Sequence, residues 1–201
     1  MSVRQAQKQA TRRRVLDAAR DLFDEIGYED ATIRAIAQRA GVSVGSVFTT
    51  FTSKDDILSQ VMLDRLEELY GELQRVVPHL RGSTADRCRS LFAVHYAFET
   101  RRVRLFLAHV AAAYSWRNGT STVPYGRNAR LRGMLIEGLR AGIERGDVRP
   151  DIDPEVVVDC LMAAYAWNYR LAASQGADAE ALTGMMDKQI GVIFDGVAPR
   201  D

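Results

Sequence analysis

The sequence predicts an all-α protein: an N-terminal three-helix helix-turn-helix domain over residues 1–54, then a larger helical domain over residues 55–201. Three observations lead there. Apolar residues recur at helical spacing along the whole chain, with no convincing stretch of period-two alternation. Helix punctuation, with Gly or Pro closing a run and Ser or Thr opening one, separates the periodic segments. Charge is also uneven: residues 1–54 carry 9 Lys and Arg against 6 Asp and Glu, residues 55–201 carry 18 against 20, and the total is +1. A basic head sits on a mildly acidic body.

The first helix is marked by Val15, Ala18, Ala19, Leu22, Phe23 and Ile26, and Gly27 closes it. Thr32 is an N-cap for a second helix through Ile33, Ile36, Ala37 and Ala40, which stops at Gly41. Ser43 then caps a third helix running to Phe51. A long amphipathic helix from Lys54 to about Val77 follows, with Ile57, Leu58, Val61, Met62, Leu66 and Leu69 on its apolar side and Pro78 at its end. Further helices are predicted near 84–100, 102–117, 125–145, 154–174 and 179–197, with loops at 118–124 and 146–154. Between Val156 and Ala173 the chain is apolar on nearly all sides, so that helix requires two covers, the core and a second subunit.

Composition excludes several classes. At 47% hydrophobic and 26% charged the chain is an ordinary globular one. The apolar run Leu105–Trp116 is too short for a bilayer, and the basic start leads into no signal-peptide core. A cytoplasmic protein with no membrane partner is predicted. Cys88 and Cys160 share no metal-ligand spacing and read as small buried hydrophobes in a reducing compartment. No metal, cofactor or catalytic constellation is implied, so no enzyme is predicted. Gly41-Val42-Ser43-Val44-Gly45 satisfies the spacing of a hydrolase nucleophile elbow, but that device needs a strand before the serine, and a helix stands there.

Residues 32–51, TIRAIAQRAGVSVGSVFTTF, meet the demands of a helix-turn-helix. Ala37 permits close crossing and Gly41 takes the left-handed turn at no steric cost. On a helical wheel Ser46, Thr49 and Gly45 oppose the apolar side of the third helix, while Val44 falls towards the core. A small polar outer face suits a DNA major groove. Arg12, Arg13 and Arg14 form either a solubilising run or a set of phosphate contacts, with the arm ahead of them entering a minor groove.

Val15-Leu16, Ala18-Ala19, Leu22-Phe23, Gly27-Tyr28, Thr32, Ile36-Ala37, Ala40-Gly41-Val42-Ser43, Gly45, Phe51, Lys54 and Leu58 together resemble the DNA-binding domain of the TetR family of bacterial transcriptional regulators. The resemblance implies a homodimer that binds an inverted-repeat operator in double-stranded DNA and is a repressor, released when a small molecule binds the body. It places Thr32 and Arg34 on backbone and base edge, puts Ser43, Val44, Gly45, Ser46, Thr49 and Thr50 at the groove, and brings Lys54 to a phosphate. Phe48 stands where the family commonly has a phosphate-bonding tyrosine, and Thr50 where histidine is frequent. The dimer would form through the last two helices. Phe92, His95, Tyr96, Phe106, His109, Trp116, Tyr165 and Trp167 are the candidate lining of a site for a small, largely apolar effector. The alternative is a helical small-molecule-binding or enzymatic protein whose helix-turn-helix is only a packing module.

Overall fold

The computed structural model describes residues 3–113 and 129–197, with side chains from Gln5 to Ala108 and from Ala129 to Val197. Every described element is helical: α1 (Val3–Glu25), α2 (Ile33–Ala40), α3 (Val44–Phe48), α4 (Lys54–Val76), α5 (Thr84–Glu99), α6 (Val103–Ala113), α7 (Ala129–Arg145), α8 (Pro154–Gln175) and α9 (Ala179–Asp195). Short 3-10 turns at Val77–His79 and Thr100–Arg102 follow α4 and α5. Two boundaries differ from expectation. The basic stretch ahead of Val15 is the first half of α1 and not an arm, and α3 stops at Phe48, so Phe51 packs from the turn beyond it.

The chain divides into two compact units. One runs through Glu68 and takes in α6; the other runs from Leu69 to Arg101 and resumes with α7. The first unit thus joins two separate stretches of the chain. The reason is that α6 packs on α1: Arg102, just before α6, pairs with Asp21 at 3.4 Å and Asp24 at 3.7 Å, and Arg104 donates to the Glu25 carbonyl at 3.2 Å.

Within the first unit, Val15, Ala19, Phe23, Ile36, Val47, Phe51, Ile57 and Leu58 close a core around the helix-turn-helix. Thr32 caps α2 by accepting from the Ala35 amide at 3.1 Å, and Gly41 ends it in the left-handed conformation at φ 64. A bidentate Arg39–Glu25 pair, at 2.7 and 2.8 Å, pins α2 to α1. Tyr28 donates its hydroxyl to Asp55 at the head of α4.

In the second unit α5 packs on α9 and α7, and α8 packs on the same two helices. Three of the starts are well capped: Ser83 and Asp86 form a reciprocal capping box on α5, Asp153 with Pro154 opens α8, and Asp178 opens α9. At Gly142 an added Cβ would collide with Thr84 and Val148, so α7 needs glycine there to approach α5. Leu135, Leu139, Val158, Leu161, Leu182, Met186 and Ile190 fill the interior. Cys88 is buried and its thiol pushed up to about 12 by burial. Cys160 is exposed on α8, contrary to the buried pair expected, because it lies on the outward stripe with Val156 and Trp167.

Candidate functional site

The helix-turn-helix turns outward a set of small groups, several of which already make hydrogen bonds within the turn. Ser43 caps α3, accepting from the Ser46 amide at 3.1 Å, and its Oγ lies 2.8 Å from Ser46 Oγ. The Thr49 hydroxyl donates to the Gly45 carbonyl at 2.7 Å, so its lone pairs are what it offers outward. Thr32 has the opposite state: its oxygen accepts from Ala35, leaving the hydroxyl proton to donate. Val44 is 40% exposed, which resolves its position in favour of the outer face and against the wheel. Gly45 is exposed too, and a Cβ there would meet only Ser43 Oγ at 3.9 Å. Nothing inside the protein requires that glycine. Phe48 is 56% exposed, an aromatic ring held in water on the same face, while Ser46 and Thr50 are half-buried.

Arg34 is exposed on α2, whereas Arg39 is committed to Glu25. Lys54 is half-buried: its ammonium donates to the Tyr28 carbonyl at 2.7 Å and the Glu29 carbonyl at 3.2 Å and sits 4.2 Å from the Tyr28 ring centroid. It staples the turn after α1 to the start of α4.

The interior candidates separate. Phe92, His95, Tyr96 and Tyr165 are buried together in the second unit, with Phe92–Tyr165 centroids 5.2 Å apart, His95–Tyr165 5.8 Å and Tyr96–Tyr165 5.1 Å. Phe106 is buried on α6, in the first unit. Trp167 is 61% exposed and stacked by Arg170 at 4.3 Å, facing away from the interior. The His109 side chain and Trp116 lie outside the described residues.

His95 Nδ1 stands 2.8 Å from the Leu91 carbonyl, which can only accept, so Nδ1 carries the proton. Nε2 then holds a lone pair, buried and without a hydrogen-bond partner. Burial lowers the imidazole from 6.5 to about 4, so the ring stays neutral near pH 7. Beside it runs a polar network that the sequence reading missed. Asn168 donates to Tyr96 Oη at 3.1 Å and exchanges hydrogen bonds with Gln189 at 2.7 and 3.0 Å, Tyr96 donates to the Tyr165 carbonyl, and Tyr169 donates to Tyr165 Oη. Its signal was Gln189 inside the apolar stripe of α9, a polar residue where burial demands a partner.

Two helices joined by a glycine turn, the second turning a small polar face outward, define a DNA-binding regulator carrying a second helical unit. Comparisons with known proteins point the same way. The model of bacterial regulatory proteins of the tetR family matches residues 15–61. The transcriptional repressor KstR2 of Rhodococcus jostii is 26% identical over 95% of this chain and 93% of its own length. The transcriptional regulator HbdR of an Aromatoleum strain is 28% identical over 78% of this chain and 68% of its own. The solved structure of FadR from Thermus thermophilus, a TetR-family repressor in complex with lauroyl-CoA, superposes with a TM-score of 0.72 at 24% identity, covering 94% of this chain and 96% of that one. Residues 15–61 carry the DNA-binding helix-turn-helix of the tetR family, and over most of its length the chain is similar to transcriptional regulators of that family. Among the described residues, no helix is long and apolar enough to cross a membrane and no group of three His, Cys, Asp or Glu is placed to hold a metal ion.

Proposed function

We propose that the chain is a cytoplasmic repressor that binds an inverted-repeat operator as a homodimer and is released by a largely apolar effector carrying one hydrogen-bond donor. The outward face of α3 carries this reading, and the repressor relatives support its sign. The state of each group suggests its partner. Thr32, with a proton to give, suits a phosphate oxygen; Thr49, with lone pairs to give, suits an amino group on a base edge. Arg34 reaches a base edge, Phe48 lies against a thymine methyl, and Gly45 lets the groove come close. Val44, Ser46 and Thr50 line the same surface. Ser43 acts mainly as the cap. The Lys54 ammonium has three N–H groups, so its two staples leave one for a phosphate.

The dimer forms through α8 and α9. Val156, Cys160, Ala163, Trp167 and Arg170 make one exposed stripe on α8, and Ala181, Gly184, Lys188 and Val192 one on α9. Exposed Trp167 and Val192, the latter 75% accessible, support a partner on this face. The effector enters the aromatic cluster, where the His95 lone pair selects a hydroxyl or N–H group and offers nothing to a carboxylate. That the FadR neighbour holds lauroyl-CoA supports an apolar body for the ligand. Its arrival disturbs Tyr96, whose carbonyl accepts the Thr100 hydroxyl at 2.7 Å; Thr100 opens the 3-10 turn that ends at Arg102, the residue holding α6 to α1. The heads then lose the spacing that fits two half-sites.

Selection from a random duplex library at near-physiological salt, with Arg34→Ala in parallel, tests the reading. An inverted repeat enriched by the wild type and lost in the variant is the expected result. No enrichment would favour the packing-module alternative.

A further inference from the structure

We infer that Tyr96, Asn168 and Gln189 form a hydrogen-bonded chain linking the effector cluster to the pairing of subunits, so that a ligand drawing Tyr96 away from Asn168 loosens the dimer itself. The inference rests on the dimer and effector reading above and gives effector binding a second output besides the spacing of the heads.

The chain of bonds lies wholly within the second unit and crosses three helices. On α5 the Tyr96 ring centroid is 5.1 Å from that of Tyr165, which stands 5.8 Å from His95, and the Tyr96 hydroxyl donates to the Tyr165 carbonyl at 3.2 Å. Its oxygen is left as an acceptor, and Asn168 on α8 donates to it at 3.1 Å. The second N–H of Asn168 goes to Gln189 Oε1 on α9 at 2.7 Å, and the Asn168 carbonyl accepts from Gln189 Nε2 at 3.0 Å. Asn168 is fully buried and both its N–H groups are committed. Met186 Sδ, 3.9 Å away, is only a weak acceptor. Losing Tyr96 therefore leaves a buried N–H in need of a new partner.

The far end of the chain reaches the edge of the dimer face. Asn168 follows Trp167 directly, and Gln189 stands one turn before Val192; those two are the most exposed large apolar residues of α8 and α9. Gln189 itself is half-buried, while Leu182, Met186 and Ile190 of the same helix are buried. In a separated subunit water reaches Gln189, so the amide pair can readjust towards it when Tyr96 withdraws. In a dimer joined over this face the partner excludes that water, and the same loss goes uncompensated. The Tyr96–Asn168 bond thus stabilises the dimer more than the single subunit, and that difference is the coupling. By reciprocity, subunit pairing holds Tyr96 in place and opposes the ligand that would move it. Hydrocarbon side chains at 168 and 189 would fill the same space with no partners to satisfy. The amides add a dependence of α9 on α5 that hydrocarbon does not supply.

The test uses the full chain, labelled at its N-terminus in donor and acceptor pools, with energy transfer after mixing giving the rate of subunit exchange. Tyr96→Phe keeps the ring and deletes the oxygen, standing in for the ligand. Gln189→Asn keeps an amide at the edge and withdraws it from Asn168 by one methylene. Tyr169→Phe deletes a hydroxyl that bonds Tyr165 Oη in the same cluster but lies off the chain. Expected is exchange faster on the order of fivefold in Tyr96→Phe and in Gln189→Asn, the effect of one hydrogen bond. The double variant should exchange no faster than the faster single one, and Tyr169→Phe should keep the wild-type rate while its melting temperature falls. A wild-type rate in Tyr96→Phe or Gln189→Asn, additive effects in the double variant, or equal acceleration by Tyr169→Phe would overturn the coupling and leave the dimer and the regulator reading intact. Should Tyr96→Phe not fold, Gln189→Asn decides alone. A wild type that sediments as a monomer would sink the dimer reading, and the coupling with it.

Discussion

His95 shows how much one buried atom can carry. Its folded-state value of about 4 lies below the ordinary 6.5, so the folded protein binds fewer protons than the unfolded chain across that interval. The stability this represents is fully present above about pH 6.5 and is lost as pH falls towards 4, to a total on the order of 3 kcal/mol. Thermal melts from pH 7 to pH 4 should fall steeply for the wild type and less steeply for His95→Phe. The same variant should lose preference for an apolar probe bearing a hydroxyl over its methyl ether, read by titration calorimetry. Gly45 gives the converse case under the proposed function, a residue that costs stability and serves contact. Gly45→Ala should stabilise the fold by up to about 1 kcal/mol, since the added Cβ meets only Ser43 Oγ at an ordinary 3.9 Å, and yet weaken operator binding. A variant that gains stability and keeps full affinity would remove Gly45 from the groove.

At the scale of elements, α3 is only five residues long and depends on its neighbours for existence. Ser43→Ala removes the hydroxyl that satisfies the Ser46 amide and should cost about 1 kcal/mol, with DNA binding falling by more than the loss of stability explains. Helix α6 has the other decisive attachment. Its tie to α1 runs through Arg102 to Asp21 and Asp24 and through Arg104 to the end of the same helix. Arg102→Ala should leave operator affinity within a few-fold of wild type and blunt effector-driven release, measured by anisotropy with and without ligand. Unaltered release in that variant would place the coupling elsewhere, with the continuous α4 as the remaining route.

For the whole molecule, the proposed function requires two copies. The outward stripes of α8 and α9 combine exposed Trp167 and Val192 with small residues that permit close approach. Trp167→Glu together with Val192→Glu should shift sedimentation from dimer to monomer and weaken operator binding by orders of magnitude, because one head then engages one half-site. The melting temperature of the separated subunits should change little, since both side chains are exposed in the single chain.

Local chemistry made the head legible from its residues. Caps at Thr32 and Ser43, the left-handed Gly41 and the apolar spacing from Val15 to Leu58 act within a few residues of one another, so their consequences can be read along the chain. The positions of Val44, Cys160 and Trp167 turned instead on which neighbour each helix face meets, and periodicity does not name the neighbour. Helix α6 follows α5 in sequence and yet groups with α1, because ion pairs from Arg102 reach residues some eighty positions earlier. The lone pair on His95 was equally out of reach: its presence depends on the Leu91 carbonyl claiming Nδ1 while the surrounding aromatic rings bring Nε2 no donor. Composition and spacing are enough to establish what each helix is, while the contacts of its faces come only from packing distant segments together, which burial drives and sequence separation hides.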